Sequence, residues 1–256
     1  MPDLLTSLAD GVLTLTFNRP EALNAVTGPM MTLLAEELEG AGAREDVRVV
    51  VVTGTGAGFS AGADLAGLRL APDHPVETMD AANRVIRAVV GCPLPVLAAV
   101  NGVAAGVACS AALVSDIIVA AESAAFLLPF SRIGLMTDGG SSATVAASIG
   151  RARAMRMALL GEPLPAAEAL AAGLVTHVAP DDEFRDLVAT LARRLAAGPP
   201  IALAGIKKAI NAATLPQLEG ALDREHSGQR ALFTTADFTE GLDAFAEGRR
   251  PVFRGE

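Results

Sequence analysis

Residues 52–65 read VTGTGAGFSAGADL, and the reading of this glycine-dense turn decides the fold. It continues VRVVVVTG, residues 47–54, a β-branched run long enough for a strand buried on both faces. A strand that runs into glycines invites a dinucleotide-binding interpretation. The glycines at 54, 56, 58 and 62 never give G-x-G-x-x-G, however, and this strand is not the first of the chain. What the AGAD piece offers instead is backbone. Successive small residues in a tight turn leave N–H groups facing open space, where an oxyanion can be held. A second such place is Gly106-Val107-Ala108, at the start of an apolar run, where the first N–H groups of a helix lack intrahelical partners. Two donors from separate segments can together hold a developing enolate oxygen. Taken singly, each segment is equally well a tight turn or a place of close helix packing.

Outward from this turn, apolar β-rich runs alternate with helical stretches. Residues 11–17 (GVLTLTF) predict a strand, NRPEALN a loop, and residues 27–43 a helix with Thr27 as N-cap and Pro29 in its first turn. Residues 95–100 and 116–121 predict further strands, with a buried helix over 102–114 between them. Residues 65–90, centred on PDHP, read as a loop. After about residue 180 the strands stop, and helices are expected over 181–197, 200–213, 216–231 and 236–247. Their apolar faces predict packing against a neighbouring subunit.

Composition narrows the function classes. The 256 residues are 51% hydrophobic, enough for a sizeable core. The formal net charge of −9 argues against nucleic acid, whose phosphates demand clustered Lys and Arg. GVAAGVACSAALV, residues 102–114, is the most membrane-like piece but falls short of the roughly 20 apolar residues of a span. Cys92 and Cys109 lie in apolar surroundings without metal-like spacing, so two free thiols in a reducing cytoplasm are expected. The start shows no basic n-region or cleavage pattern, in keeping with a cytoplasmic protein.

FSAGADL followed about forty residues later by AVNGVAAGVAC closely resembles the enoyl-CoA hydratase/isomerase (crotonase) superfamily. The resemblance runs nearly end to end, through FNRPEALNA, SDIIVAAESAAF, AAGLVTHVAP and FTEGLDAFAEGRRPVF. It implies an α/β fold, a spiral of ββα repeats over residues 1–195 that binds acyl-CoA. A helical oligomerisation domain over residues 196–256 would follow, in a homotrimer or hexamer. It implies no cofactor, coenzyme A entering only as part of the substrate thioester. The thioester carbonyl would sit between the N–H groups of Ala63 and Val107, the latter standing where the family usually has glycine. Coenzyme A would lie along Ala22, Leu23 and the turn Ala61, Gly62, Ala63, Asp64, Leu65 and Ala66, with Phe245 of the C-terminal signature nearby. Glu21 and Gly248 stand where lysines are frequent, leaving Arg19, Arg69, Arg249 and Arg250 as substitutes for the phosphates.

Hydration needs one group to activate water and another to deliver a proton, and hydratases use a pair of glutamates. The matching positions hold Ser110 and Phe130, neither of which can act as a carboxylate. With Met136 they would line the acyl pocket. PFSRIGLMTDGGSS resembles instead the segment of Δ3,Δ2-enoyl-CoA isomerases that ends in a single catalytic glutamate, and Asp138 falls at that place. An aspartate there is also a feature of ring-epoxide isomerases of phenylacetyl-CoA breakdown. Asp138 precedes Gly-Gly-Ser-Ser, so it is equally a plausible N-cap for the helix that follows. A dehalogenase of the superfamily uses aspartate there as a nucleophile, with a histidine base and tryptophans. This chain has no Trp, and its histidines, His74, His177 and His226, read as structural or solvated. The resemblance thus implies an isomerase with Asp138 as proton shuttle; the alternatives are a silent acyl-CoA-binding protein and a hydratase.

Overall fold

The computed structural model describes residues 2–70 and 75–256. His74, most of the PDHP centre and the side chain of Arg69 lie outside the described residues. The chain opens with a hairpin, β1 (Leu4–Ala9) and β2 (Val12–Phe17), turning at Asp10 and Gly11, both at positive φ. β1 was not expected, because LLTSLA exposes most of its residues and carries no sustained apolar alternation. Along β2 the alternation is clear: Leu13, Leu15 and Phe17 are buried, while Val12, Thr14 and Thr16 are only half-buried.

β2 leads through a short turn to α1 (Gly28–Ala41), whose first turn Thr27 caps by accepting the Met30 N–H at 3.3 Å. β3 (Val49–Gly54), β4 (Val96–Val100), β6 (Ile117–Ala121) and β9 (His177–Ala179) add in parallel to β2, giving a six-stranded sheet of order β1-β2-β3-β4-β6-β9. The side chains of β4 and the four valines of β3 are fully buried, as expected of strands covered on both faces. A second sheet joins β5 (Val103–Ala105), β7 (Ala125–Leu127) and β8 (Leu164–Pro165).

Two stretches depart from the sequence reading. Residues 102–114 are not one helix. Val103–Ala105 pairs in parallel with β7, and Gly106, at φ +54°, ends that strand and begins α4 (Gly106–Leu113). The stretch around PDHP is flanked by helices, α2 (Leu65–Leu70) and α3 (Pro75–Gly91). Met79, Ala82, Ile86 and Val89 repeat at helical spacing and bury one face of α3, which packs on α1.

Beyond β7 come α5 (Ser141–Ile149), α6 (Arg151–Leu160), α7 (Ala166–Ala172), α8 (Phe184–Ala196), α9 (Pro200–Thr214), α10 (Leu218–Leu232) and α11 (Ala236–Glu247). α8 covers one face of the large sheet. α9 is fastened by Lys207, whose Nζ lies 2.8 Å from Asp116 Oδ2 and donates to the carbonyls of Val89 and Leu94. α10 packs on α3 and α5 of its own chain, so a tail expected to lean on a neighbour finds part of its cover at home. Ile201, Ile206 and Ile210 of α9 nevertheless remain exposed. Among the described residues no helix is long and apolar enough to cross a membrane, and Cys92 and Cys109 are free and buried.

Candidate active site

The two glycine-rich turns meet backbone to backbone. Ser60 bridges Ala104, with the Ala105 N–H donating to the Ser60 carbonyl at 2.9 Å, and Val26 bridges Ala63. Gly62 sits between these bridges at φ +90°, and a methyl built on it would stand 2.8 Å from the Ala105 carbonyl oxygen. Only glycine permits that conformation and that approach. The Val26 bridge uses the Asp64 N–H and the Gly62 carbonyl, so it leaves the Ala63 N–H out. The Val107 N–H belongs to the first turn of α4, where helical N–H groups lack intrahelical partners. Among the described residues neither N–H has a hydrogen-bond partner. Val107 itself is buried, and the Phe130 ring lies against the Gly106 turn.

One turn further along α4, about 5 Å of rise, stands Ser110, which is fully buried. Its hydroxyl donates to the carbonyl of Asp138 at 2.9 Å. The Ser141 hydroxyl and N–H donate to the same carbonyl, at 2.8 and 3.2 Å. One donor from α4 and two from the start of α5 thus hold the Asp138 carbonyl, and the first turn of α4 carries the free N–H of Val107. The next residue, Gly139, is at φ +64°, and a methyl on it would come 2.7 Å from Ser110 Cβ. Ser110 therefore supports the Asp138 loop and is sealed under it.

The Asp138 side chain does not cap α5. That function falls to Glu225 of α10, whose carboxylate accepts the N–H groups of Gly140 at 2.6 Å and Ser142 at 3.0 Å. Asp138 Oδ2 instead accepts a hydrogen bond from Gln229 Nε2 at 3.2 Å, while Oδ1 is buried with no partner. Burial pushes the Asp138 pKa up to about 7; the Gln229 amide opposes this rise and the Glu225 charge adds to it. Burial also raises the Glu225 pKa, against the pull of the Ser142 and Gly140 donors.

Gln229 and Glu225 were not legible as site residues, since they arrive from a helix about ninety residues downstream. A signal existed. The buried positions of α10 are Leu218, Ala221, Leu222, Glu225 and Gln229, so two polar residues stand in an otherwise apolar stripe.

The other expected residues are distributed unevenly. The Asp64 carboxylate accepts the Gly67 N–H at the start of α2 and pairs with Arg19 at 3.0 Å. Burial alone would raise its pKa, but these partners outweigh it and hold the carboxyl below the usual range. Arg19 also donates to the Ala25 carbonyl, and Arg249 is engaged by Glu240 and Glu247, so both are already committed to protein partners. Arg250 forms no ion pair among the described residues. Leu23 and Phe245 are 62% and 63% exposed, leaving two apolar side chains open to a ligand or another chain. Met136 turns its sulfur against Gly228 of α10. His226 pairs with Asp80 at 2.9 Å, and His177 lies in β9.

A cleft of about 870 Å³ opens beside the Val26–Ala63 bridge, between the starts of α1, α2 and α3. Another of about 870 Å³ lies on the face of the large sheet that α8 partly covers, lined by Thr14, Thr53, Asn101 and Arg185 among others. Of the candidate residues Asp64 lines the first cleft and none lines the second; Ala63, Val107 and Asp138 line neither. Among the described residues no group of three or more His, Cys, Asp and Glu is placed to hold a metal ion.

Comparison with known proteins gives the family. The chain is 40% identical, over the full length of both, to the 1,2-epoxyphenylacetyl-CoA isomerase of Escherichia coli K12. It is 41% identical to a probable enoyl-CoA hydratase of Rhodobacter capsulatus, covering 97% of this chain and 96% of the other. Among solved structures, an enoyl-CoA hydratase from Mycobacterium avium subsp. paratuberculosis superposes with a TM-score of 0.93 at 49% identity, covering 99% of each chain. The family model for enoyl-CoA hydratase/isomerase matches residues 7–256, and with its crotonase fold the chain belongs to that enzyme family.

Proposed function

We propose that this protein is a cytoplasmic, cofactor-free acyl-CoA isomerase that shifts a double bond in an enoyl thioester. Asp138 is the single proton shuttle, and the N–H groups of Ala63 and Val107 hold the thioester oxygen. The observation that carries this reading is the buried, unpartnered Oδ1 of Asp138 in a site whose two hydratase positions are Ser110 and Phe130. In a 3-enoyl thioester the ionised carboxylate takes a proton from C2, and the C–H electron pair moves into the thioester carbonyl, giving a dienolate whose oxygen faces the two N–H donors. The same carboxylic acid returns the proton to C4 as the electrons move back, so no atom is gained or lost. A carboxyl with a pKa of about 7 exchanges a proton readily in both directions near neutral pH.

The name of the Escherichia coli relative supports an isomerase and adds ring-epoxide thioesters to the substrates worth offering. The adenine end of coenzyme A is proposed to lie near Ala22, Leu23 and residues 61–66, with Phe245 among the groups that contact the substrate. The exposed isoleucines of α9 support assembly as a homotrimer or hexamer; light scattering that finds a stable monomer at micromolar concentration would overturn this. Activity is tested by offering a panel of acyl-CoA thioesters and following isomerisation, water addition and binding separately. Isomerisation without hydration supports the proposal. Binding without turnover would replace it with an acyl-CoA-binding protein, and hydration would replace it with a hydratase.

A further inference from the structure

We infer that Gln229 is a positioning residue that fixes Oδ2 of Asp138 and so reserves Oδ1 as the oxygen that takes up and returns the proton. The inference deepens the isomerase reading and rests on it for its kinetic consequence. Its first support is the orientation of the amide. The Met136 N–H donates to Gln229 Oε1 at 3.2 Å, which leaves Nε2 as the end that meets Asp138 Oδ2, also at 3.2 Å. An amide so held offers a donor to Asp138 and no acceptor. The second support is burial: Gln229 is fully enclosed, so water does not compete for either end. The third is the difference between the two carboxylate oxygens, Oδ2 engaged and Oδ1 buried without any partner. A native protein seldom leaves such an oxygen unsatisfied unless another group is to meet it.

α10 reinforces the arrangement from one turn away. Glu225, four residues before Gln229, grips the N–H groups of Gly140 and Ser142, so the same helix holds the Asp138 loop on its following side. Together with the Ser110 hydroxyl on the Asp138 carbonyl, these bonds leave the loop little freedom to turn the carboxylate over. The elements around Asp138 bring few charges to it. α10 contributes Glu225; α3 contributes Ile86 beside Gly139 and carries Asp80, which is paired with His226; α4 contributes the neutral Ser110.

The proton transfer that follows is balanced within the site. A substrate C–H bond breaks, its pair enters the thioester dienolate, and an O–H bond forms at Oδ1. The reverse transfer at a carbon two positions away restores the carboxylate.

The test uses two variants of the full-length protein. Gln229→Met removes both bonds at nearly constant volume, whereas Gln229→Glu keeps the acceptor for Met136 and sets a second carboxyl in place of the donor to Asp138. Carbon-13 NMR of labelled aspartate, with Asp138→Asn to assign the signal, reads the Asp138 titration directly. In the folded Gln229→Met variant the midpoint should move up by about one unit, the loss of a donor to an ionised group. In Gln229→Glu the pair should titrate in two steps, the upper one raised further by like-charge repulsion. Turnover should fall about tenfold with KM within about a factor of two, since Gln229 does not meet the substrate. An unmoved titration overturns the inference, and so does a moved titration with unchanged turnover. If the parent protein isomerises no thioester, the isomerase reading falls, and the titration still decides whether Gln229 holds Oδ2.

Discussion

Glu225 accepts the N–H of Gly140 at 2.6 Å, from a helix that begins almost eighty residues after the loop it fastens. This bond separates two functions that the sequence superimposes on Asp138. An aspartate before Gly-Gly-Ser-Ser reads as an N-cap, yet the cap of α5 is a carboxylate brought by α10, and Asp138 is left with one buried oxygen that has no partner. Replacing Glu225 with alanine should therefore destabilise the fold by roughly 1–2 kcal/mol, the loss expected of a cap. Asp138→Ala should leave α5 capped. Urea unfolding of the two variants side by side distinguishes them. Equal destabilisation, or a larger effect at Asp138, would return the capping role to Asp138.

The raised pKa of Asp138 couples stability to pH with a definite sign. A carboxyl whose pKa is about 7 when folded and 3.8 when free favours the folded state as long as it is protonated. That contribution is complete below the ordinary carboxylate range and is lost as pH rises through about 7. Asp138→Asn removes the ionisation while keeping the size. It should melt above the parent at pH 8, by on the order of 2 kcal/mol, and match it near pH 4. A melting difference that stays constant across this range would mean that Asp138 titrates like a surface carboxylate.

The same titration should govern catalysis, with the opposite preference. Proton abstraction requires the ionised carboxylate, so kcat/KM for isomerisation should climb with pH and level off above an apparent pKa of about 7. Asp138→Asn should lower turnover at least about 100-fold without weakening coenzyme A binding. A variant that retains full turnover would place the chemistry elsewhere.

Ala63 permits a test of the oxyanion donors that leaves the backbone hydrogen bonds around it intact. Its N–H takes no part in the Val26 bridge, so proline at 63 removes a donor without removing a backbone hydrogen bond. Loss of one such donor should raise the activation barrier by about 3 kcal/mol. Val107→Gly, by contrast, keeps its N–H, so it should retain isomerisation. Full turnover in a folded Ala63→Pro variant would exclude Ala63 as a donor.

What could be read from the sequence follows from how local the information is. The valines of β3, the alternation of β2 and the small-residue turns at 61–66 and 106–108 are short-range patterns, and each stands where the reading put it. β5 was hidden because Val103–Ala105 is as apolar as the helix after it, and only its pairing with β7 distinguishes the two. α3 was hidden because PDHP masked a helical repeat of buried residues just beyond it. Glu225 and Gln229 were hidden for a different reason. Their role depends on where α10 docks, which no local pattern contains.

Position 110 separates the isomerase reading from the hydratase alternative. Putting a glutamate at position 110 restores one of the two residues that hydratases use, and on sequence grounds the change looks conservative for function. The structure gives the opposite expectation. Ser110 is fully buried, its Cβ lies where a methyl on Gly139 would be 2.7 Å away, and its hydroxyl holds the Asp138 carbonyl. A longer side chain there must push the Gly139 backbone off α4, and overpacking of this kind costs about 1–3 kcal/mol. It also brings a third buried carboxyl towards Glu225 and Asp138. Ser110→Glu should therefore lose stability and isomerisation together and gain no hydration, whereas Ser110→Ala should lose only the one hydrogen bond, about 1 kcal/mol. Thermal melts and a 2-enoyl-CoA hydration assay decide the matter. A stable Ser110→Glu protein that adds water would show that the loop carrying Asp138 yields easily, and that its fixed position is not what selects the reaction.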